Sequence, residues 1–205
     1  MQARRLFCLL LVNGCLALTA CTTPPPRAQT VPALNALPAR IELTQVPFYP
    51  QTEDQCGPAA LAMMLTHAGV TRTPAQMRDE VYLPLRQGSV PIEMVSAVRR
   101  TGLTPQQLRP SLHDLLQYVS HGQPATVLMN VRWRLWPQWH YAVVVGYDLK
   151  QEHILLRSGL EERQVMSLQE FDAQWAAAER WGLVISPPVV PPQVNSLRVQ
   201  SPPSD

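Results

Sequence analysis

Hydrophobic residues recur at helical spacing through the first half of this chain and gather into short β-branched runs through the second. From Gly57 onward, Leu61, Met64, Leu65 and Ala68 return every three or four residues, which predicts a helix stopped at Gly69. Thr73-Pro74-Ala75-Gln76 has the form of a capping box with proline at the first helical position, and opens a second. Pro91 to Arg100 reads as a third, with Ile92, Val95 and Val98 inward and Gly102 past its end. Ser111-Leu112-His113-Asp114 begins a fourth that Gly122 closes. The period then shortens. Ala125 to Val131 and Tyr141 to Tyr147 are apolar runs of strand length. Ile154 to Leu156 suits a hairpin partner for the second run, across a turn from Asp148 to Glu152. Ser167-Leu168-Gln169-Glu170 caps a last helix bearing Leu168, Phe171 and Trp175, and Leu183 to Ile185 reads as a final strand. Ile41 to Val46 alternates weakly, as an edge strand would before Pro47. Helices followed by an antiparallel sheet make an α+β plan, with one domain expected over residues 41–186.

The two ends depart from this periodicity. Arg4 and Arg5 precede an apolar run from Leu6 to Leu18, broken by Asn13 and Gly14 and too short to span a bilayer comfortably. The run closes on Leu18-Thr19-Ala20-Cys21, which resembles a bacterial lipobox, so residues 1–20 read as a lipoprotein signal peptide. That likeness implies acylation of Cys21, with acyl chains such as palmitate replacing the apolar helix as the anchor. A plain signal peptide cut after Ala20 is the simpler alternative. Thr22 in place of Asp favours, by likeness to Gram-negative lipoproteins, the outer membrane and a protein facing the periplasm. Residues 21–40, with Pro24-Pro25-Pro26, read as a proline-spaced tether, and residues 187–205 as a proline-rich tail.

Composition narrows the chemistry. The 205 residues carry a net charge of +2, and setting Arg4 and Arg5 aside leaves 15 basic against 15 acidic residues. A body so nearly neutral argues against nucleic-acid binding by phosphate attraction. Of four cysteines, Cys8, Cys15 and Cys21 fall in the leader and only Cys56 lies in the body, which excludes a disulfide scaffold. No spaced ligands accompany Cys56, so neither a metal nor a cofactor is expected.

Cys56 stands where loop residues Pro50 to Gln55 run directly into the first predicted helix. At a helix N-terminus the unpaired N–H groups and the macrodipole favour thiolate over thiol, so a thiol titrating below its ordinary value of about 8.5 is expected. Gly57 leaves space beside the sulfur, and Pro58 suits an early helical position. Among five histidines, His67, His113, His121 and His153 fall at helix edges or turns. His140 instead enters the strongest strand, in Trp139-His140-Tyr141-Ala142-Val143-Val144-Val145-Gly146-Tyr147-Asp148, where a general base would be held rigidly. Trp133, Trp136 and Trp139 precede it at intervals of three, and suit a substrate cleft wall, core packing or a lipid-facing belt.

The pair Gln-Cys-Gly-Pro-Ala-Ala-Leu and His-Tyr-Ala-Val-Val-Val-Gly-Tyr-Asp, in this order, resembles the bacteriocin-processing, double-glycine-type cysteine peptidases. The likeness runs from about Val46 to Ile185 and is closest to the stand-alone, lipoprotein-like branch without the transporter. It implies a papain-like fold, Cys56 as nucleophile and His140 as general base. A glutamine ahead of the cysteine helps hold the oxyanion in that family; Gln51 is the candidate, one residue nearer than the usual spacing, with Gln55 as alternative. The residue that orients the histidine is an aspartate or asparagine in the family, and the corresponding position here is Ser158. A serine hydroxyl can hold the imidazole but brings no negative charge; Asp148 is the nearest acid and suits a hairpin turn better. The resemblance therefore implies a lipid-anchored peptidase acting on a peptide or protein through an acyl-enzyme. A thiol acyltransferase, or a non-catalytic envelope lipoprotein that binds a partner in the same cleft, are the alternatives.

Overall fold

The computed structural model describes residues 34, 36–51, 53–132 and 135–186. The signal peptide, Cys21, most of the tether, the tail and Trp133 lie outside the described residues. No helix among the described residues is long and apolar enough to cross a membrane.

Among the described residues, five α-helices and seven strands follow in the order β1 (Arg40–Glu42), α1 (Cys56–His67), α2 (Pro74–Val81), α3 (Pro91–Arg100), β2 (Thr104–Gln107), α4 (Leu112–Ser120), β3 (Ala125–Asn130), β4 (Trp139–Asp148), β5 (His153–Ser158), β6 (Glu161–Ser167), α5 (Leu168–Ala176) and β7 (Gly182–Ser186). The helix ends form as local chemistry dictates. Thr73 Oγ1 accepts from the Gln76 N–H at 3.2 Å while the Gln76 side chain accepts from the Thr73 N–H at 2.9 Å. Ser111 and Ser167 cap α4 and α5 by accepting from the N–H groups of Asp114 and Glu170. Gly69, Gly102 and Gly122 follow α1, α3 and α4 with φ of +88°, +83° and +81°.

All strand pairs are antiparallel, in the order β2-β7-β3-β4-β5-β6. β3 pairs the first half of β4, from Trp139 to Val144, and β1 pairs its last three residues where β3 has ended. Helices cover both faces. On one, α1, α2 and α3 pack Leu61, Leu65, Met77, Met94 and Val98 against Tyr141, Val143 and Val145. On the other, α4 and α5 pack Leu115, Leu116, Phe171 and Trp175 against Ala142, Val144 and Tyr147. Strict alternation would put Tyr147 beside Val145; the register shift between Val144 and Gly146 turns it to the opposite face. A side chain at Gly146 would overlap the Ile41 carbonyl, so glycine there is what lets β1 approach. Burial on both faces explains why the central strands read as continuous apolar runs.

Three expectations change. The first strand is shorter than Ile41 to Val46 and is held by β4 rather than by its own pattern. Ile92 faces outward at 63% exposure, because α3 turns Met94, Ala97 and Val98 to the core. β2 and β6 add to the predicted strands; they sit at the two edges of the sheet, where polar residues serve as well as apolar ones.

Candidate active site

Cys56 is the first residue of α1 and is 6% exposed. Residues 53–55 form one 3-10 turn ahead of it, and Gln55, at the cap position, makes no side-chain capping bond. The N–H groups at this helix start are therefore free to face the sulfur. Burial nevertheless pushes the Cys56 thiol up from its ordinary value, against the pull of the backbone N–H groups of Tyr141, Gly57 and Cys56. The nearby Asp54 carboxylate adds to the rise. This corrects the sequence expectation: the helix terminus favours a thiolate, but loss of water around a buried sulfur outweighs it.

The contact with Tyr141 places the sulfur against the residue that follows His140. His140 is the second residue of β4, beyond the last β4–β5 pair at Val143 and Arg157. Its Nε2 shares a hydrogen bond of 3.0 Å with Ser158 Oγ at the end of β5. Burial lowers its pKa from the ordinary histidine value. Both groups therefore rest neutral: a thiol and an imidazole, with a neutral hydroxyl behind. Asp148 is not part of this set. Its carboxylate accepts from the Lys150 and Gln151 N–H groups at 3.0 and 3.1 Å and shapes the β4–β5 turn.

Gln51 is 5% exposed and bridges the two halves of the site. Its backbone N–H donates to the Gly159 carbonyl at 3.0 Å. In the amide orientation that satisfies its neighbours, Nε2 donates to the Cys56 carbonyl at 3.1 Å and Oε1 accepts from the Gly159 N–H at 3.3 Å. Gln55 is half-buried and makes no comparable bond. Of the two glutamine side chains, that of Gln51 is the one bonded to the Cys56 backbone. Buried Arg157 supports the same region, donating from Nη2 to the Val46 carbonyl at 3.2 Å and from Nη1 to that of Glu162.

The described tryptophans ahead of His140 are not core residues. Trp136 is 79% exposed and lines a shallow depression with Arg132, Pro137 and Gln138. Trp139 lines a mostly apolar groove of about 520 Å³ with Ser89, Val90, Pro91, Leu128 and Trp181. One of its lining residues, Ser89, also packs against Gly57, the residue that follows Cys56. A larger, polar depression of about 610 Å³ between β2 and α4 lies away from Cys56 and His140. We assign the site by its chemistry rather than by cavity size. Ser89 and Trp181 escape a reading of the sequence. The first shows only as a Gly-Ser-Val-Pro step before α3, and the second reaches the groove because Ala177 to Trp181 fold back after α5, with Glu179 and Arg180 at φ of +55° and +51°.

Residues 43–182 match the model of the Peptidase_C39 like family. Solved structures with the same fold include a candidate C39-like peptidase from Bacillus anthracis, at 19% identity and a TM-score of 0.59, covering 72% of this chain and 97% of that one. The peptidase domain of Streptococcus ComA, a bifunctional ABC transporter involved in quorum sensing, aligns at 21% identity and a TM-score of 0.57, covering 70% and 99%. A double-glycine-motif protease from an AMS/PCAT transporter, solved in complex with the leader peptide, aligns at 22% and 0.55, covering 70% and 92%. At these identities the likeness shows the fold. No curated protein matches the chain.

Proposed function

The chain belongs to the Peptidase_C39 like family, and from that premise we propose that it is a cysteine peptidase in which Cys56 attacks and His140 carries the proton. The observation that carries this reading is a helix-terminal thiol against the Tyr141 N–H, next in the chain to His140, whose imidazole is bonded to Ser158. A neutral imidazole with its hydrogen at Nε2 donates to Ser158 and leaves Nδ1 to accept. His140 takes the thiol proton as sulfur bonds to the substrate carbonyl carbon, and the oxyanion is met by the Cys56 N–H and the second N–H of the Gln51 amide. The imidazolium returns its proton to the leaving amine as the C–N bond breaks. Water, deprotonated by His140, then cleaves the thioester and restores the thiol. The neighbour bound to a leader peptide supports a peptide substrate, but cleavage after paired glycines is not carried over to this chain.

The same reading places the protein on a lipid anchor at Cys21, on the periplasmic side of the outer membrane, supported by the lipobox-like Leu18-Thr19-Ala20-Cys21. Labelled palmitate should enter the wild type and not Cys21→Ala; equal labelling of the two rejects the anchor. For the chemistry, the test is cleavage of a proteome-derived peptide library, with Cys56→Ser as control. Cleavage that survives in Cys56→Ser removes the reading. A wild type that binds peptides without cutting them favours the binding-module alternative, which the uncharged Ser158 makes specific.

Two smaller predictions follow from the geometry. Ser158→Ala removes one hydrogen bond, worth about 1–1.5 kcal/mol, so kcat should fall about tenfold with KM unchanged. A fall as deep as that of His140→Ala would mean that Ser158 does more than orient the ring. The second concerns pH. With His140 depressed, the acid limb of kcat/KM should lie below the ordinary histidine value of about 6.5. With Cys56 raised, iodoacetamide should label the free protein only as pH climbs past the ordinary thiol value of about 8.5. The stability signs agree. The depressed histidine contributes stability that is present above its unfolded value and lost as pH falls through its folded one. The raised cysteine contributes stability that is present below its unfolded value and lost as pH rises through its folded one. A labelling rate already at its plateau at neutral pH would show a resting thiolate instead.

A further inference from the structure

The turn between β5 and β6 holds Gln51. Ser158 pairs with Glu161 across that turn, which leaves Gly159 and Leu160 as a two-residue loop. The first position of such a loop favours glycine because the chain there takes a positive φ, and Gly159 has φ of +58°. The N–H and carbonyl of Gly159 lie outside the strand ladder, and Gln51 binds both. Its backbone N–H donates to the Gly159 carbonyl at 3.0 Å, and its Oε1 accepts from the Gly159 N–H at 3.3 Å. Residues 47–50 belong to no helix or strand. This pair of bonds, with that from Arg157 to the Val46 carbonyl, therefore ties the segment ahead of α1 to the hairpin. The preceding residue of the same turn, Ser158, bonds the His140 ring at 3.0 Å.

A carboxamide has a donor end and an acceptor end. With the acceptor end on the Gly159 N–H, the donor end faces the Cys56 carbonyl at 3.1 Å, and its second N–H is left for the oxyanion. Turned the other way, the amide would set oxygen against oxygen at Cys56 and leave no side-chain donor there. We propose that Gly159 is a positioning residue for the oxyanion site. Its N–H and carbonyl set the direction and place of the Gln51 amide, so the Ser158-Gly159 step orients both the base and the oxyanion donor. The inference rests on the peptidase reading, with Gln51 meeting the oxyanion, and adds a residue that acts through Gln51. A Cβ built on Gly159 meets no atom within 4 Å, so a substitution there acts through the backbone conformation and not through a clash.

The test is a pair of double-mutant cycles on the full-length protein, read as hydrolysis of N-acetylglycine p-nitrophenyl ester. Gly159→Ala, strained at positive φ, should lower kcat about tenfold, the loss of one hydrogen bond, with KM unchanged. Gly159→Asn tolerates positive φ and should recover most of that loss. Leu160→Ala, at the exposed second position of the loop, should keep wild-type kcat. In a Gln51→Ala background, Gly159→Ala should change kcat less than about twofold; in a Ser158→Ala background it should again lower kcat about tenfold. Glycolate in place of Gly159 removes the N–H and keeps the freedom at φ. It should give the same fall with the same dependence on Gln51, which decides the matter even where Gly159→Ala does not fold. An equal fall in the Gln51→Ala background, a fall that vanishes with Ser158→Ala instead, or full kcat in Gly159→Ala and in the glycolate protein overturns the proposal and leaves the peptidase reading standing. A wild type that hydrolyses the ester no faster than Cys56→Ser removes both.

Discussion

His140→Ala should reduce kcat/KM for peptide cleavage about 10³-fold or more, almost entirely through kcat. The magnitude follows from the resting state of the pair. With the thiol pushed up and the imidazole pushed down, almost no thiolate is present until a base takes the proton during attack. In the proposed mechanism His140 makes that transfer. Without it the sulfur must react as a thiol, and the leaving amine must depart unprotonated. Folding should survive the change, since among the described residues the ring bonds Ser158 and β4 remains paired to β3, β5 and β1. Cys56→Ser should be at least as damaging. The double variant should be no worse than the worse single one, because the two groups act in one step. A His140→Ala protein that keeps a tenth of wild-type kcat would assign the proton transfer elsewhere.

Trp175→Ala should cost about 3–5 kcal/mol, a large share of the 5–15 kcal/mol typical of a single domain, and lower Tm by roughly 10 °C or more. Trp175 is fully buried, stacks on Phe171 at 5.6 Å between ring centroids, and donates from Nε1 to the Trp181 carbonyl at 2.8 Å. Its own carbonyl accepts from the Arg180 N–H at 3.0 Å. It therefore holds the returning segment whose Glu179 and Arg180 sit in the left-handed region, helped by the paired bonds of 2.9 Å from Arg180 to Asp172. That segment forms one wall of the groove. The loss should be read by chemical denaturation, with Trp175→Phe as comparator: it keeps most of the burial, loses the Nε1 bond, and should fall between the two. A cost under 1 kcal/mol for Trp175→Ala would show that the wall is held by other contacts.

Much of this was legible in the residues because it is local. Ser and Thr three positions ahead of a Gln, Asp or Glu at Thr73, Ser111 and Ser167 gave helix starts, and Gly69, Gly102 and Gly122 gave stops, since caps and positive φ are written in single positions. Strand β4 announced itself by a long apolar run, which a central strand buried on both faces must have. The edges did not. Thr104–Gln107 carries a proline and two glutamines, and Glu161–Ser167 opens with Glu-Glu-Arg; a strand paired on one side and wet on the other has no need of an apolar pattern. At the site, Cys56, His140 and Ser158 are candidates from their positions along the chain, and the structure brings the last two into contact. The sign of the thiol shift was not legible. A helix N-terminus can be read from sequence, but the water lost around a sulfur depends on what packs over it. Ser89 and Trp181 were missed for the same reason, since each meets Tyr141, far away along the chain.

The central claim is that Cys56 carries the acyl group of a cleaved substrate. It is tested most directly by acid-quenching the enzyme during turnover of an N-acyl amino acid p-nitrophenyl ester and weighing the peptide that contains Cys56. Acylation predicts a mass increase equal to the acyl group on Cys56 in the wild type, decaying as product forms, with no such adduct on the Cys56 thiol in His140→Ala on the same timescale. Turnover that proceeds with Cys56 unmodified, or with the acyl group on another residue, would contradict the account.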